Sequence, residues 1–232
     1  MAIYTLGCLV GALASTSVGN PLGRRRALVV FAIIAAVGAI LQGSSFSLAQ
    51  LIVGRIISGI GVGGVNAVVP VWQSECSKPK NRGKNVVVIG IFIASGVAMA
   101  AWINFGFSYH QKSSICWRFP LSVPLVFSTL IAASTMLFPE SPRWLVQKGR
   151  YDEAKAIISI LEDVSIDSEH IIIEIDSIRE ACNKQASHEL GFFDLFKVGP
   201  QRLLYRTGLA VLINFCAQMT GKKIHTAPES IV

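Results

Sequence analysis

The chain has 232 residues, of which 52% are hydrophobic and only 15% are charged, and its formal net charge is +7. Soluble domains usually carry about 25% charged residues, so the composition argues against a soluble globular protein. The basic excess lies in short loops between apolar runs, where it sets membrane topology and does not indicate nucleic-acid binding. The five cysteines are scattered without a CxxC spacing, so we predict neither a metal site nor a disulfide framework.

Five apolar runs, each near the roughly 20 residues that a bilayer-spanning helix requires, follow one another from the N-terminus. We predict that these runs form transmembrane helices at residues 3–18, 27–43, 48–72, 86–107 and 119–138. Buried core helices of a soluble protein are the alternative, but successive runs of this length rarely occur in soluble folds. The sequence therefore predicts an all-α membrane protein that contacts the lipid bilayer along five helices.

The loops between these runs alternate in charge. Residues 20–26 and 77–84 are rich in Lys and Arg, whereas residues 43–49 carry no charge and residues 108–117 contain a single lysine. Because basic loops are retained on the cytosolic side of a membrane, we predict that the two basic loops and Arg143 face the cytosol. All five predicted helices agree with this one orientation.

Beyond residue 139 the sequence becomes charged and alternates like that of a soluble helical protein. Ser141 followed by Pro142 is typical of a helix start, because serine caps the helix and proline fits its first position. Residues 151–161 and 167–184 have the periodicity of amphipathic helices, the second with isoleucines along one face. We expect a small helical layer on the cytosolic side and not a separate catalytic domain.

These patterns divide the chain into three parts. We predict five transmembrane helices of an N-terminal bundle over residues 1–139, a cytosolic helical linker domain over residues 140–200, and the truncated start of a C-terminal bundle with a divergent tail over residues 201–232. Within the last part, residues 206–219 begin another apolar helix, but about 14 residues are marginal for spanning a bilayer. The sequence that follows Gly221 is polar.

A set of short motifs links the apolar runs to a known family. The motifs are GRRR at residues 23–26, GRIISGIG at 54–61, PVWQSE at 70–75 with RG at 82–83, WRFP at 117–120 and PESPRWL at 139–145. In this order and at this spacing they resemble the motifs of the sugar-porter branch of the major facilitator superfamily, particularly its fungal members. The resemblance covers the chain from Ile3 to about Gly221.

This resemblance implies a fold of twelve helices in two bundles, which bind substrate between them near the middle of the membrane. The chain resembles the second to sixth helices, the cytosolic helices and part of the seventh. We therefore expect a truncated, partial major facilitator superfamily fold. The function that it implies is transport of a sugar or sugar-like polyol by alternating access, with proton coupling in intact relatives and the plasma membrane as the location.

A different class of function stays open at this point. The chain could be a truncated, non-transporting fragment or an interaction partner of an intact transporter. We predict that the chain alone does not transport, and that it acts only if a second chain supplies the missing half. No catalytic or cofactor-binding motif occurs in the sequence, so we predict no enzyme activity and no cofactor.

The resemblance also implies a cytosolic gate, in which arginines pair with acidic residues to hold the two halves closed. A topological anchor is the alternative for the arginine cluster, because anchoring alone accounts for its charge. Asn20 stands where the family usually has Asp and Pro21 where it often has Arg, so we expect a weakened network. The predicted gate residues are Arg24, Arg25, Glu75, Arg82, Glu140 and Arg143.

Arg55 lies inside an apolar run, where an ionised side chain is costly and needs a partner. In proton-coupled relatives the matching arginine pairs with an acidic residue on the first helix, so the resemblance makes Arg55 the proton-coupling candidate. Snorkelling to the outer surface is the alternative, since only about seven residues precede Arg55 in its helix.

The glycines near Arg55 match the pattern GxGxxG at residues 59–64. A dinucleotide site needs a preceding strand and an acidic residue about 20 positions further on, and the sequence has neither. Small residues instead allow two membrane helices to approach closely. We therefore predict that Gly54, Gly59 and Gly63 serve helix packing.

Residues for sugar recognition depart most from the family. Ile89 and Gly90 stand where relatives commonly place glutamines on the fifth helix, and one glutamine of the seventh-helix pattern remains at Gln218. Gln218, Trp102 and Asn104 are therefore the substrate-binding candidates. For Trp102 and Asn104, a role as interfacial anchors or packing residues is the alternative.

Overall fold

The computed structural model describes residues 2–77, 82–108, 115–162, 165, 168–186 and the five single positions 205, 208, 209, 212 and 216. Over these residues the backbone forms eight α-helices and no strand, which confirms the predicted all-α class. The chain divides into two compact units, Met1–Arg179 and Glu180–Val232. The helix predicted at residues 206–219 and the candidate Gln218 lie outside the described residues, apart from single positions of that helix.

Five helices among the described residues are long and apolar enough to cross a membrane. They are α1 (Ala2–Leu22), α2 (Arg24–Gly43), α3 (Leu48–Glu75), α4 (Arg82–Ser108) and α5 (Ile115–Thr135). Their number and order match the sequence prediction, and the differences lie at the ends. α1 continues to Leu22, because apolar runs mark the lipid-facing length and not the last backbone hydrogen bond.

Helices α1 and α3 touch through their backbones. A Cβ atom built on Gly59 would lie 2.6 Å from the Tyr4 carbonyl oxygen, and one built on Gly63 would collide with the backbone of Cys8. Gly11 of α1 faces the backbone of Ile60 in the same way. Such close approach increases van der Waals contact between membrane helices, which is how small residues favour their association.

A buried amide joins α2 to α3 inside the span. Gln42 Nε2 donates hydrogen bonds to the Gly54 carbonyl oxygen at 3.2 Å and to Ser58 Oγ at 2.6 Å. Gly54 makes room for this side chain, since a Cβ there would lie 2.9 Å from Gln42 Cγ. The third glycine predicted for packing therefore lies against a side chain of α2.

Three shorter helices follow the membrane spans: α6 (Pro142–Gln147), α7 (Tyr151–Glu162) and α8 (Glu169–Ala186). Ser141 caps α6 as the sequence predicts, with its Oγ accepting the Trp144 backbone N–H at 3.3 Å and Pro142 at the first helical position. The apolar faces of these helices pack into one cluster. Its buried members are Trp144, Leu145, Val146, Ala154, Ile158, Ile171 and Ile175.

Candidate functional site

The turn between α1 and α2 brings the predicted gate residues together. Gly23 has φ +91° and ψ 165°, a backbone conformation that is essentially restricted to glycine. A Cβ atom at Gly23 would also lie 2.6 Å from Glu140 Oε2. Glycine at this position therefore allows both the sharp turn and the approach of the Glu140 carboxylate.

Arg24 and Glu75 form an ion pair between the start of α2 and the end of α3. Arg24 Nε donates to Glu75 Oε2 and Nη2 donates to Oε1, each at 2.9 Å. The two side chains are only 14% and 8% exposed. Arg24 Nη1 also donates to the Gly19 carbonyl oxygen at 3.3 Å, so one guanidinium connects three helix ends. A lysine ammonium is a point charge and lacks the planar fork that makes this two-bonded pair.

Glu140 contacts α2 through the backbone and not through the arginine side chains. Its Oε1 accepts the backbone N–H groups of Arg24 and Arg25, both at 3.0 Å, and that of Ser141 at 3.1 Å. The sequence-based expectation paired this carboxylate with arginine side chains. The structure differs because the Gly23 turn presents the first free N–H groups of α2, which attract a negative charge.

Two further contacts fix the surroundings of this cluster. Trp144 Nε1 donates to the Asn20 carbonyl oxygen at 2.9 Å, which ties α6 to the end of α1. Arg25 Nη2 donates to the Met136 carbonyl oxygen just beyond α5. Arg143 is exposed on α6, and Arg82 is the first residue of α4, with its side chain outside the described residues. The structure thus brings four of the six predicted gate residues together.

The pKa of Cys76 depends on the charges of this cluster. It follows Glu75 at the end of α3 as the helix cap. Burial, and then the negative charges of Glu75 and Glu140, raise the pKa of the Cys76 thiol to about 11. Both carboxylates are therefore close enough to repel a third negative charge at this position.

Arg55 lies half-buried on α3. Within the part of the chain that the structure describes, Arg55 forms no salt bridge with an acidic side chain.

A cavity of about 390 Å³ lies between α2, α3, α4 and α5. Its wall is mostly apolar, and its polar groups come from Asn66, Asn104 and Ser128. Trp102 does not line the cavity and is 74% exposed. Asn66 was missed at the level of sequence, although an amide in the middle of an apolar run is the kind of residue that marks functional positions in membranes.

Five long apolar helices, joined at one end by an ion pair and by a carboxylate that caps a helix, define a multi-pass membrane protein. Two solved structures of the xylose transporter XylE share this fold. A sugar-bound form of the proton:xylose symporter has a TM-score of 0.75 and 22% identity, covering 86% of this chain and 46% of that one. A partially occluded inward-open form from E. coli gives 0.73 and 21%, covering 80% and 48%. The predicted partial major facilitator superfamily fold is thereby confirmed.

The family model described as sugar (and other) transporter matches residues 1–226, and the chain belongs to this family. Sugar transporter STL1 of Saccharomyces cerevisiae is 36% identical over 222 residues, which cover 94% of the chain and 39% of the relative. The MFS-type transporter oryC of Aspergillus oryzae is 39% identical over 225 residues, covering 96% and 42%. Low-affinity glucose transporter HXT1 of S. cerevisiae is 31% identical over 223 residues, covering 95% and 39%. The chain therefore spans about two fifths of the length of these relatives.

Proposed function

We propose that the chain takes part in transport of a sugar or sugar-like polyol across a membrane by alternating access, and that it catalyses no reaction. Its family membership and the names of two relatives, a sugar transporter and a glucose transporter, support this proposal. Proton coupling is proposed because the solved structure with the same fold is a proton:xylose symporter. The observation that carries the mechanism is the Arg24–Glu75 ion pair beside the carboxylate cap of α2.

The proposed role as a gate rests on which helix ends these contacts connect. They connect the ends of α1, α2 and α3 to the junction of α5 and α6, at the face that the basic loops assign to the cytosol. Removing one partner of a buried pair leaves the other charge uncompensated, so the pair favours one discrete arrangement of the helix ends. A transporter that alternates needs contacts that hold one state and break in the other. We assign this role to Arg24, Arg25, Glu75, Arg82, Glu140 and Arg143.

Substrate contact and proton coupling are proposed for other residues. Asn104 lines the cavity between α2 and α5, and Asn66 joins it there as an added candidate. Sugar hydroxyls require polar partners in a site without water, which these two amides offer. Trp102 and Gln218 remain candidates from the sequence. Arg55 is the proposed coupling residue, because a half-buried guanidinium between two spans responds to a nearby change in protonation.

The plasma membrane is the proposed location, and a second chain that supplies the other half of a substrate site is the proposed partner. The location follows from the resemblance to the sugar-porter family, and the second chain follows from the relatives, which are more than twice as long as the matched region. Substrate sites of transporters built from two repeats lie at the interface between these halves. A polypeptide carrying the remaining helices of a relative is therefore the natural complement in an experiment.

Transport is tested by uptake of labelled glucose, xylose and inositol in yeast cells that lack hexose uptake. One set of cells expresses this chain alone, and another co-expresses it with the C-terminal half of STL1. We expect uptake in the second set, and Glu75→Gln is expected to reduce it while the matched exposed variant Glu153→Gln does not. If neither set accumulates any of the three solutes although both chains reach the membrane, the proposed function is wrong.

A further inference from the structure

A second cavity, of about 640 Å³, lies where α2 begins, α5 ends and α6 and α7 pack. Its volume is typical of a site for a small ligand, a class that ranges over roughly 300–1,000 Å³. We call it the arginine cavity, after the three arginines in its wall. The residues that matter here are Arg25, Arg26, Val29, Val30, Trp144 and Arg150.

The wall of the arginine cavity has an uncompensated positive charge. Arg26 is exposed and forms no ion pair with any acidic residue that the structure describes. Arg150 pairs with Glu153 on the surface, where both side chains are about half exposed and such pairs are weak. The remaining acid in the wall, Glu140, accepts three backbone N–H groups on its Oε1 and keeps its single negative charge, so three arginines face two carboxylates. An anionic group entering the cavity therefore meets more positive than negative charge.

An apolar stripe on α2 leads away from Arg26. Val30, Ile33, Val37 and Ile40 are exposed, and they follow Arg26 at intervals of four, three, four and three residues. Residues at this spacing lie on one face of a helix. In a membrane span, such a face meets acyl chains, whereas Arg26 lies at its end, level with the headgroups. The ligand that fits both features has an anionic head and a long apolar tail.

We propose that the arginine cavity binds the headgroup of an anionic phospholipid. The phosphate is held by Arg26 and Arg150, and one acyl chain lies along the stripe from Val30 to Ile40. Guanidinium groups match phosphate oxygens with two parallel hydrogen bonds, and basic pockets between helices on the cytosolic side of a membrane recognise lipid headgroups. Inorganic phosphate shares the charge of the headgroup but leaves the apolar stripe unused. A phospholipid is therefore the ligand to which the two features together point.

The test uses the full chain, delipidated in detergent and studied by native mass spectrometry. It is titrated with phosphatidylglycerol, with phosphatidylcholine of the same acyl chains, and with inorganic phosphate as a competitor. We expect phosphatidylglycerol to bind more tightly, and each of Arg26→Gln and Arg150→Gln to weaken it about fivefold. Lys84→Gln is the matched control, because it removes an exposed positive charge near the start of α4, at the same predicted membrane face.

Three outcomes would overturn the proposal. Equal binding of the two phospholipids would show that the negative charge is not recognised. An equal loss in Lys84→Gln would show general attraction to a basic surface, and full displacement by millimolar phosphate would make this a site for free anions. Far-ultraviolet circular dichroism of each variant checks that its helices are retained, and Arg26→Lys is expected to lose less affinity than Arg26→Gln because it keeps the charge.

Discussion

Helices α3 and α4 have nearly the same length, 28 and 27 residues, and both are rich in glycine and apolar side chains. Yet α3 buries five of its glycines against α1 and α2, whereas no described side chain of α4 is buried. A Cβ atom on Gly63 of α3 would collide with a neighbouring backbone, but one on Gly90 of α4 meets nothing within 4 Å. The same residue type therefore has opposite energetic meaning in the two helices, because its neighbours and not its own sequence context decide it.

The largest effect is expected from filling the α1–α3 contact. Gly63→Leu forces the backbone of Cys8 away from α3, and overpacking by a whole side chain should lower the free energy of unfolding by on the order of 3 kcal/mol. Gly90→Leu on α4 is the matched control and should be nearly neutral. Thermal unfolding of both variants in the same detergent measures the difference. Equal unfolding temperatures would remove the contrast between the two helices.

A somewhat smaller loss of stability is expected when the ion pair at the end of α3 is broken. Glu75→Gln leaves the largely buried Arg24 without its charged partner, which should cost about 2–3 kcal/mol, less than a fully buried pair because both side chains keep some solvent contact. Lys84→Gln near the start of α4 is the control and should change stability little. A double-mutant cycle with Arg24→Gln measures the pair itself. A coupling energy near zero would show that the ion pair contributes nothing to the fold.

Replacing the amide within the span should have a moderate effect. Gln42→Leu removes the hydrogen bonds to Gly54 and Ser58, and bonds between membrane helices contribute about 1 kcal/mol. Asn104→Leu on α4 is the comparison, because Asn104 is exposed and no hydrogen bond depends on it among the contacts described. Chemical unfolding of the two variants should rank them in this order. A greater loss in Asn104→Leu would contradict the ranking.

The smallest effect is expected on the rate at which the Cys76 thiol reacts with a chemical label. Maleimides react with the thiolate, so a pKa raised from 9.0 to about 11 lowers the reactive fraction at pH 8 about 100-fold. Labelling should therefore stay slow until the pH approaches 11. Glu75→Gln removes one source of the shift, lowers the pKa and should accelerate labelling at pH 8. The background is a chain whose other cysteines are replaced by serine.

A matched position on α4 completes the labelling experiment. Lys84→Cys, introduced with Cys76→Ser, places a single thiol at an exposed site. It should react at pH 8 at the rate of a simple thiol, well before Cys76 does. If the two positions label equally fast at pH 8, burial and the two carboxylates do not raise the pKa of Cys76 as the structure indicates.

The number, order and type of the membrane helices could be predicted from the sequence, because uninterrupted apolar runs of this length rarely form any structure other than a membrane-spanning helix. Family motifs also brought Arg24 and Glu75 to the same end of the bundle. The backbone contact of Glu140 could not be predicted, since it depends on the φ angle of Gly23 and on which N–H groups that turn leaves free. Asn66 was missed because its place in a cavity depends on three other helices. The domain boundaries and the roles of the gate residues remain predictions.

Because Glu140 binds the backbone of α2 and not its side chains, the contact restricts which positions of the sequence can change. Every residue except proline has a backbone N–H, so positions 24 and 25 can exchange among non-proline residues and keep these hydrogen bonds to Glu140. Position 23 has no such freedom, since any larger residue there both twists the turn and displaces the carboxylate. Among natural variants, a change at position 23 should therefore be accompanied by a change at position 140, so that the two positions covary.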